Sequence, residues 1–344
     1  MTGRERVKKA MHYKKPDKVP VQFYYSPVGY YEHGDKLNDL YETMPGDFMP
    51  FTRYPVPNPD KSEYDENGNY HAFRRDEWGT LWEYRIFGIA GLPKEYPVKD
   101  ISKLDSYKMP TPHSNSKDDI EAYRKEVEQH QKQYYYFQHA GSLFERLIAL
   151  RPDEDVLCDI ALNEPGINRL ADMIVQYDSA YVERGIEAKA DGIAFGDDYG
   201  TERGLIMSPK TWRRFIKPRL KELFAPAVKA NMDIHFHSCG KNTEILEDLR
   251  EIGVTSIWPQ LPAYNMAELA SRCRSLDLAI AIHTDRARTM TYGTPQMVRN
   301  LVMREYEIFC MQDGGAWFYI EADNGFPFEN LEALIHTIRE LRKG

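Results

Sequence analysis

The 344-residue chain lacks the features that mark several broad classes of protein. It has no block of lysine and arginine, and its net charge is −8, which argues against a nucleic-acid partner. No apolar run approaches the roughly 18–20 residues that span a bilayer, and the charged start MTGRERVKKAMHY has no apolar signal-peptide core. The four scattered cysteines give no disulfide framework. We therefore expect a cytoplasmic protein without a membrane segment.

Familiar nucleotide and hydrolase motifs are also missing. No G-x-G-x-x-G follows a predicted strand, and the sequence contains neither G-x-x-x-x-G-K-[ST] nor G-x-S-x-G. What the sequence does have, from residue 117 onward, is a regular alternation of strand and helix patterns.

This alternation predicts the fold class. Strands and helices that alternate at this spacing indicate parallel strands joined by crossovers, and their number and length favour a (β/α)8 barrel. We interpret residues 1–344 as a single barrel domain. Residues 50–100 would be an insertion with a hairpin that turns near Gly79, and they could hold the eighth strand. The seven other strands are predicted at 18–25, 134–138, 192–196, 233–238, 254–259, 277–283 and 316–321.

Polar residues stand at the ends of six of these strands. In such a barrel the carboxyl ends of the strands meet at one face and form the active site. Helix capping is the ordinary alternative for any one of these residues, and His139 is equally well explained as a hydrogen-bonded loop histidine. The residues are His139, Asp197, Asp198, His237, Cys239, Gln260, His283, Asp285, Glu321 and Asp323.

The segment HFHSCG carries the strongest chemical signal. Because side chains alternate along a strand, His235, His237 and Cys239 share one face. His237 and Cys239 can then bind one zinc ion. A buried cysteine beside hydrogen-bonded histidines remains open, as does a nucleophilic cysteine with a histidine base. Two parallel side chains suit a shared ion better than a linear proton relay.

Several segments together resemble one family. They are ERVKKAMHYKKPDKVPV, DEWGTLWEYRIFGIAGLPKEYPVKD, GDDYGTERGLIMSPKTWRRFIKPRLK, HFHSCGK, YGTPQMV and FPFENLEAL. They are similar to the uroporphyrinogen decarboxylase superfamily, and within it to the corrinoid-dependent methyltransferases. The resemblance implies a (β/α)8 barrel with zinc held by His-x-Cys and a further cysteine near the last strand. His237 and Cys239 match the first two positions. WFYIEADNG has no cysteine, so Glu321 is the expected third ligand, with Asp323 behind it.

The resemblance also implies an activity. We expect a zinc-dependent methyltransferase that moves a methyl group from a small methoxylated compound, with an aromatic one favoured, to the Co(I) corrinoid of a separate protein, as in O-demethylation. The chain lacks D-x-H-x-x-G, the family's cobalamin-binding signature, so it would not carry the corrinoid itself. Asp197, Asp198 and His139 would orient the substrate or handle a proton. The substrate-binding residues would be Gln260 and His283, together with the aromatic residues Phe23, Tyr24, Tyr30 and Tyr31 in a segment that lacks the arginines of the decarboxylases.

Three other functions stay open at this point. The chain could be a metal-free decarboxylase for a smaller acid, a methylcorrinoid:thiol methyltransferase, or a non-catalytic partner of a corrinoid protein. The sequence leaves open the methyl donor, the corrinoid partner, the direction of transfer and whether the chain forms a homodimer.

Overall fold

The computed structural model describes residues 1–343. Its strands fall into a parallel group and a short antiparallel group. They are β1 (Val21–Tyr24), β2 (Ala72–Arg75), β3 (Leu81–Tyr84), β4 (Leu92–Glu95), β5 (Phe137–His139), β6 (Gly192–Gly196), β7 (Asp233–Ser238), β8 (Ser256–Pro259), β9 (Ala279–His283) and β10 (Ala316–Glu321).

The α-helices connect and surround these strands. They are α1 (Gly3–Met11), α2 (Pro27–His33), α3 (Asp35–Glu42), α4 (Lys117–His130), α5 (Phe144–Leu150), α6 (Asp153–Leu162), α7 (Pro165–Glu187), α8 (Pro209–Phe215), α9 (Lys217–Lys229), α10 (Leu246–Glu251), α11 (Met266–Ser275), α12 (Thr289–Tyr292), α13 (Pro295–Ile308) and α14 (Phe328–Leu341). None of the helices in residues 1–343 is both long and apolar enough to cross a membrane.

The parallel strands form one curved sheet in the order β1-β10-β9-β8-β7-β6-β5, with every pair parallel. All seven strands of this sheet overlap the ranges predicted from the sequence, although β5 begins three residues later than predicted, and the α/β barrel fold is confirmed. Alternation along each strand separates two apolar layers. On β10, Phe318 and Ile320 belong to the main core between the sheet and the helices, whereas Trp317 and Tyr319 belong to a smaller cluster inside the barrel.

Helix α1 covers the end of the barrel where the strands begin. Val7 and Met11 of α1 pack into the interior cluster. Arg4 and Lys8 form ion pairs with Asp191, the residue just before β6. A capping box at Thr2 and Glu5 fixes the first turn of this helix. The base of the barrel is therefore closed, which leaves the opposite end, at the carboxyl ends of the strands, as the accessible face.

The gap between the edge strands β1 and β5 is bridged by an irregular segment around Asp47. The backbone N–H of Asp47 donates to Val21 O at 2.8 Å, and its carbonyl oxygen accepts from the N–H of Tyr135 at 3.1 Å. The Asp47 carboxylate accepts from the N–H of Val21 at 2.8 Å and pairs with Arg6 and Arg342. Asp47 and its neighbours thus occupy the position that an eighth strand would fill.

Residues 50–100 do not supply an eighth barrel strand, which corrects that part of the expectation. The predicted hairpin is present as β2 and β3, but with β4 it makes a separate antiparallel sheet. Gly79 lies in the turn with a φ of +92°, which favours glycine. The buried ring of Trp78 packs on Tyr177 of α7 and anchors this sheet to the barrel.

The helix predictions differ from the structure in detail. The sequence predicts one helix over residues 209–230, with Ser208 as its N-cap and Pro209 in its first turn. The structure divides it into α8 and α9 at Ile216, two residues before Pro218, which cannot donate a backbone hydrogen bond. Helices α2, α3, α6 and α12 had not been predicted from the sequence.

Candidate metal centre and active-site cleft

His237 and Cys239 come together at the carboxyl end of β7. The Nε2 atom of His237 lies 3.4 Å from the Sγ atom of Cys239. Gly196 of β6 pairs in register with His237, so the residues that follow β6 lie beside those that follow β7. The Asp198 Oδ1 atom accepts a hydrogen bond from the N–H of Cys239 at 2.7 Å and lies 3.5 Å from His237 Nε2. Ligand atoms of these three residues lie within 4.8 Å of one another.

The orientation of His237 is fixed by Trp258 on β8. The Nδ1 atom of His237 lies 2.9 Å from the carbonyl oxygen of Trp258, and the two ring centroids are 4.0 Å apart. A carbonyl oxygen only accepts hydrogen bonds, so Nδ1 carries the proton and Nε2 presents its lone pair to Cys239 and Asp198. A hydrogen bond from the distal ring nitrogen to a carbonyl is typical of metal-binding histidines.

The burial and the charges of these residues favour a bound cation. Burial lowers the pKa of His237, although Asp198 opposes this effect. Burial, with the Asp198 charge adding to it, raises the pKa of the Cys239 thiol to about 12. A thiolate and a carboxylate at this distance repel each other unless a positive ion lies between them, and a bound dication deprotonates a coordinating thiol.

Glu321 lies apart from this group: the structure brings Asp198, and not Glu321, to the His237–Cys239 pair. Glu321 ends β10, and strands β8 and β9 separate β10 from β7. Adjacent strands are roughly 4.8 Å apart. Asp198, in contrast, follows β6, which is the direct neighbour of β7. Burial and the neighbouring Asp323 raise the pKa of Glu321 to about 7, with Arg286 opposing. Asp323 in turn forms an ion pair with Arg286 at 3.3 Å.

Two further predicted residues, Gln260 and His283, line the same cleft, and His139 stands at the end of β5. Gln260 accepts a hydrogen bond from the N–H of Gly240 at 2.9 Å. His283 contacts the rings of Trp258 and Tyr319, and burial lowers its pKa to about 3, so its imidazole is neutral. Its Nε2 atom is buried without a hydrogen-bond partner in residues 1–343. His139 is exposed to solvent, although the surrounding protein lowers its pKa by desolvation.

Two of the predicted acidic residues cap backbone turns. Asp197 is fully buried and accepts hydrogen bonds from the N–H groups of Leu143, Phe144 and Glu145 at the start of α5. Burial raises the pKa of Asp197 to about 6, against the effect of these donors. Asp285 accepts from the N–H groups of residues 287–289 in the same way. Capping, the alternative considered for single strand-end residues, explains the placement of both.

The four aromatic residues predicted to wall a pocket lie in different environments. Phe23 is on the helix-facing side of β1 and packs on Tyr41, and Tyr30 is fully buried in that same layer. Neither faces the barrel interior, because strand alternation turns Phe23 toward the helices. Tyr24 is half exposed on the interior side and stacks on Tyr319, with centroids 6.5 Å apart. Tyr31, also partly exposed, packs on Phe87 of the 50–100 segment.

The cleft contains residues that the sequence analysis did not name as site residues. A cavity of about 220 Å³ beside the candidate metal centre is lined by Asp198, His237, Cys239, Trp258, His283 and Arg286, among others. Trp258 could have been found from the two-residue period of β8, because it lies two residues before Gln260, which follows that strand. Arg286 follows the end of β9 in a loop, where no periodicity indicates the direction of a side chain.

The fold and this cleft define an α/β barrel protein with a candidate metal centre at the carboxyl ends of its parallel strands. Residues 97–274, about half of the chain, match the uroporphyrinogen decarboxylase (URO-D) family, and the chain belongs to this family. Among solved structures it is similar to a methyltransferase from Methanosarcina mazei, with 15% identity, a TM-score of 0.65 and 99% of each chain covered. At that identity the likeness shows a common fold. No curated protein gave a significant match.

Proposed function

We propose that the protein is a zinc-dependent methyltransferase. It would transfer a methyl group from a small methoxylated aromatic compound to the Co(I) corrinoid of a separate protein. The observation that carries this proposal is the grouping of Asp198, His237 and Cys239 at the mouth of the barrel. Membership of the URO-D family and the fold shared with a methyltransferase from Methanosarcina mazei support it.

The donor atoms fit a zinc ion. Zinc bonds of 2.0–2.3 Å in tetrahedral geometry place neighbouring ligand atoms roughly 3.3–3.6 Å apart. The separations of His237 Nε2 from Cys239 Sγ, 3.4 Å, and from Asp198 Oδ1, 3.5 Å, agree with this spacing. Thiolate, imidazole and carboxylate together are a zinc-type donor set. Three protein ligands would leave one position open, as catalytic zinc sites do.

Each residue has a defined task in this proposal. Bound zinc would supply a Lewis acid for the ether oxygen, which is otherwise a poor leaving group. Asp198, His237 and Cys239 would hold the ion, and Trp258 would fix the imidazole through its carbonyl oxygen and line the cavity beside it. The reaction breaks the bond between the methyl carbon and oxygen, and the electron pair stays on oxygen. The partner's Co(I) supplies the pair for the new bond to carbon.

Glu321 is the alternative third ligand of the zinc ion. It lies on the interior side of β10, and its pKa of about 7 allows it to exchange a proton near neutral pH. His139, exposed at the same face, is the other candidate for handling the proton that the leaving phenolate takes up.

The test combines metal analysis with a transfer assay. The purified protein should contain one zinc per chain and should demethylate a methoxyarene only when Co(I) cobalamin or a corrinoid protein is added, which is followed by the cobalamin absorbance. Demethylation without any corrinoid would contradict the proposal. Decarboxylation by metal-free protein, or faster demethylation of methylcobalamin with an added thiol, would favour the two alternative enzymes.

A further inference from the structure

The loop that follows β7 packs directly against the loop that follows β6. Gly240 has a φ of +69°, and a Cβ atom added to it would lie 2.1 Å from the carbonyl carbon of Gly200. This position therefore admits no side chain, and the two backbones touch. Because these two loops carry Asp198 and Cys239, the contact sets the distance between two of the candidate metal ligands.

The side chain of Asn242 holds the carbonyl groups of the Cys239 loop. Its Nδ2 atom lies 3.3, 2.9 and 3.3 Å from the carbonyl oxygens of Ser238, Cys239 and Gly240. Carbonyl oxygens only accept hydrogen bonds, so the NH2 group of the amide, and not Oδ1, must face them. Within residues 1–343 the buried Oδ1 atom has no hydrogen-bond partner. The amide of Asn242 is thus used as a donor.

The N–H groups on the opposite side of the same loop are held as well. The N–H of Cys239 donates to Asp198 at 2.7 Å, and the N–H of Gly240 donates to Gln260 at 2.9 Å. The peptide groups before and after the Cα atom of Cys239 are therefore each bound at both ends. Because two planar peptide groups define the φ and ψ of the residue between them, the direction of the Cα–Cβ bond is fixed. The Sγ atom then lies beside His237.

Asn242 is itself anchored by its own backbone. Its carbonyl oxygen accepts from the N–H of Ile245 at 3.1 Å, and its N–H donates to the hydroxyl oxygen of Tyr264 at 2.7 Å. The same hydroxyl donates to the carbonyl oxygen of Gly240 at 3.1 Å. A side chain that is locked in this way by further hydrogen bonds can hold a neighbouring ligand in one geometry.

We propose that Asn242 is a positioning residue of the candidate metal centre, whose amide holds the backbone on both sides of Cys239 so that its sulfur faces His237 and Asp198 before an ion binds. This inference rests on the proposed function, which places zinc at those three residues. Asn242 acts through the backbone of Cys239. A metal ion would meet ligands that are already in place, which reduces the ordering cost of binding.

The test compares two buried asparagines that make similar hydrogen bonds. Asn242 is 3% and Asn330 1% exposed, and Asn330 Nδ2 also donates to carbonyl oxygens, those of Met290 and Gly293. Leucine keeps a similar volume and removes the donors. Asn242→Leu should raise the zinc Kd about 10- to 100-fold, the usual effect of losing a residue that orients a ligand. Asn330→Leu should keep the wild-type Kd. Asn242→Ser, which keeps one donor, should give an intermediate Kd.

Two further measurements report on Cys239 directly. In cobalt(II)-substituted protein the thiolate-to-metal charge-transfer band should weaken in Asn242→Leu and stay unchanged in Asn330→Leu. In metal-free protein, iodoacetamide should alkylate Cys239 faster in Asn242→Leu than in wild type, because a released loop exposes the partly buried thiol. Mass spectrometry of the peptide that contains Cys239 distinguishes it from the exposed Cys158.

The metal-free measurement separates this inference from the proposed function. Faster alkylation of Cys239 in Asn242→Leu alone supports the inference even if the wild type transfers no methyl group, in which case the proposed function fails by itself. A wild-type zinc Kd and alkylation rate in Asn242→Leu, or equal changes in Asn330→Leu, overturn the inference and leave the proposed function standing. If Asn242→Leu does not fold, Asn242→Ser decides: wild-type values overturn the inference, and a rise in both supports it.

Discussion

Asp198 follows β6, and His237 lies near the end of the neighbouring strand β7. The Oδ1 atom of Asp198 and the Nε2 atom of His237 lie 3.5 Å apart. The parallel pairing of β6 with β7 produces this proximity, because residues at equivalent positions of adjacent strands lie side by side. The same hydrogen-bonded loop positions Cys239, whose N–H donates to Asp198. The candidate metal centre is thus built where two paired strands end, with His237 on β7 and with Asp198 and Cys239 in the loops that follow β6 and β7.

The third zinc ligand can be identified by paired substitutions. Asp198→Ala should lower bound zinc from one per chain to well below half and abolish methyl transfer, because two ligands hold the ion weakly. Glu321→Gln should retain zinc, since Glu321 is outside the group of three. Metal content measured by atomic emission checks both. If Glu321→Gln loses zinc and Asp198→Ala keeps it, the ligand predicted from the sequence is right and the geometric assignment is wrong.

The two histidines of β7 should differ in their effect on zinc. His237→Ala should lose the ion. His235 is buried, lies within 2.9 Å of Ser256 Oγ and packs between Phe137 and Trp317. His235→Ala should therefore keep zinc while it lowers the free energy of unfolding by about 2–4 kcal/mol, the usual cost of emptying a core site. Metal analysis and denaturant unfolding of the same samples measure both quantities, and zinc loss in folded His235→Ala would contradict this.

His12 should make stability depend on pH. Its hydrogen bond to Asp233, against the opposing effect of burial, raises its pKa, with Lys8 and Lys14 also opposing. Because the folded pKa is raised, the stabilisation is fully present below about pH 6.5 and is lost as the pH rises through the folded value. His12→Gln should remove this pH dependence. The free energy of unfolding should change by less than about 1 kcal/mol, because the His12 side chain is half exposed. Unfolding from pH 5 to 9 measures it, and exposed His336→Gln is the control.

Glu305 should make stability fall with rising pH in the same direction, but from a buried site. It is 1% exposed on α13 and accepts a hydrogen bond from Thr284 at 2.7 Å, and burial raises its pKa to about 8. Between about pH 4.5 and 8 the folded state holds a proton that the unfolded state releases, so stability falls as the pH rises. Glu305→Gln should flatten the fall in this range and be more stable than wild type at pH 8. A parallel pH profile for the two proteins would show that Glu305 does not titrate there.

The sequence predicted the strands of the barrel and the inward face of β7 because both depend on local periodicity. The sequence also indicated that Asp198 lies beside the His237–Cys239 pair, since β6 directly precedes β7 in the barrel order. Glu321 was preferred because a family pattern, and not strand adjacency, indicated the third ligand. Arg286 and the bridging segment around Asp47 had no local signal. One lies in a loop, and the other has no regular strand pattern, so their positions depend on contacts distant in sequence.

The bridge at Asp47 has a consequence for how the molecule unfolds. Arg6 of α1 and Arg342, just after α14, share this one buried carboxylate, and all three side chains are less than 10% exposed. Detaching either helix leaves buried charges without a full set of partners, which costs far more than breaking a surface pair. The first and last helices should therefore exchange their amide hydrogens together with β1 and β5, as a single cooperative unit.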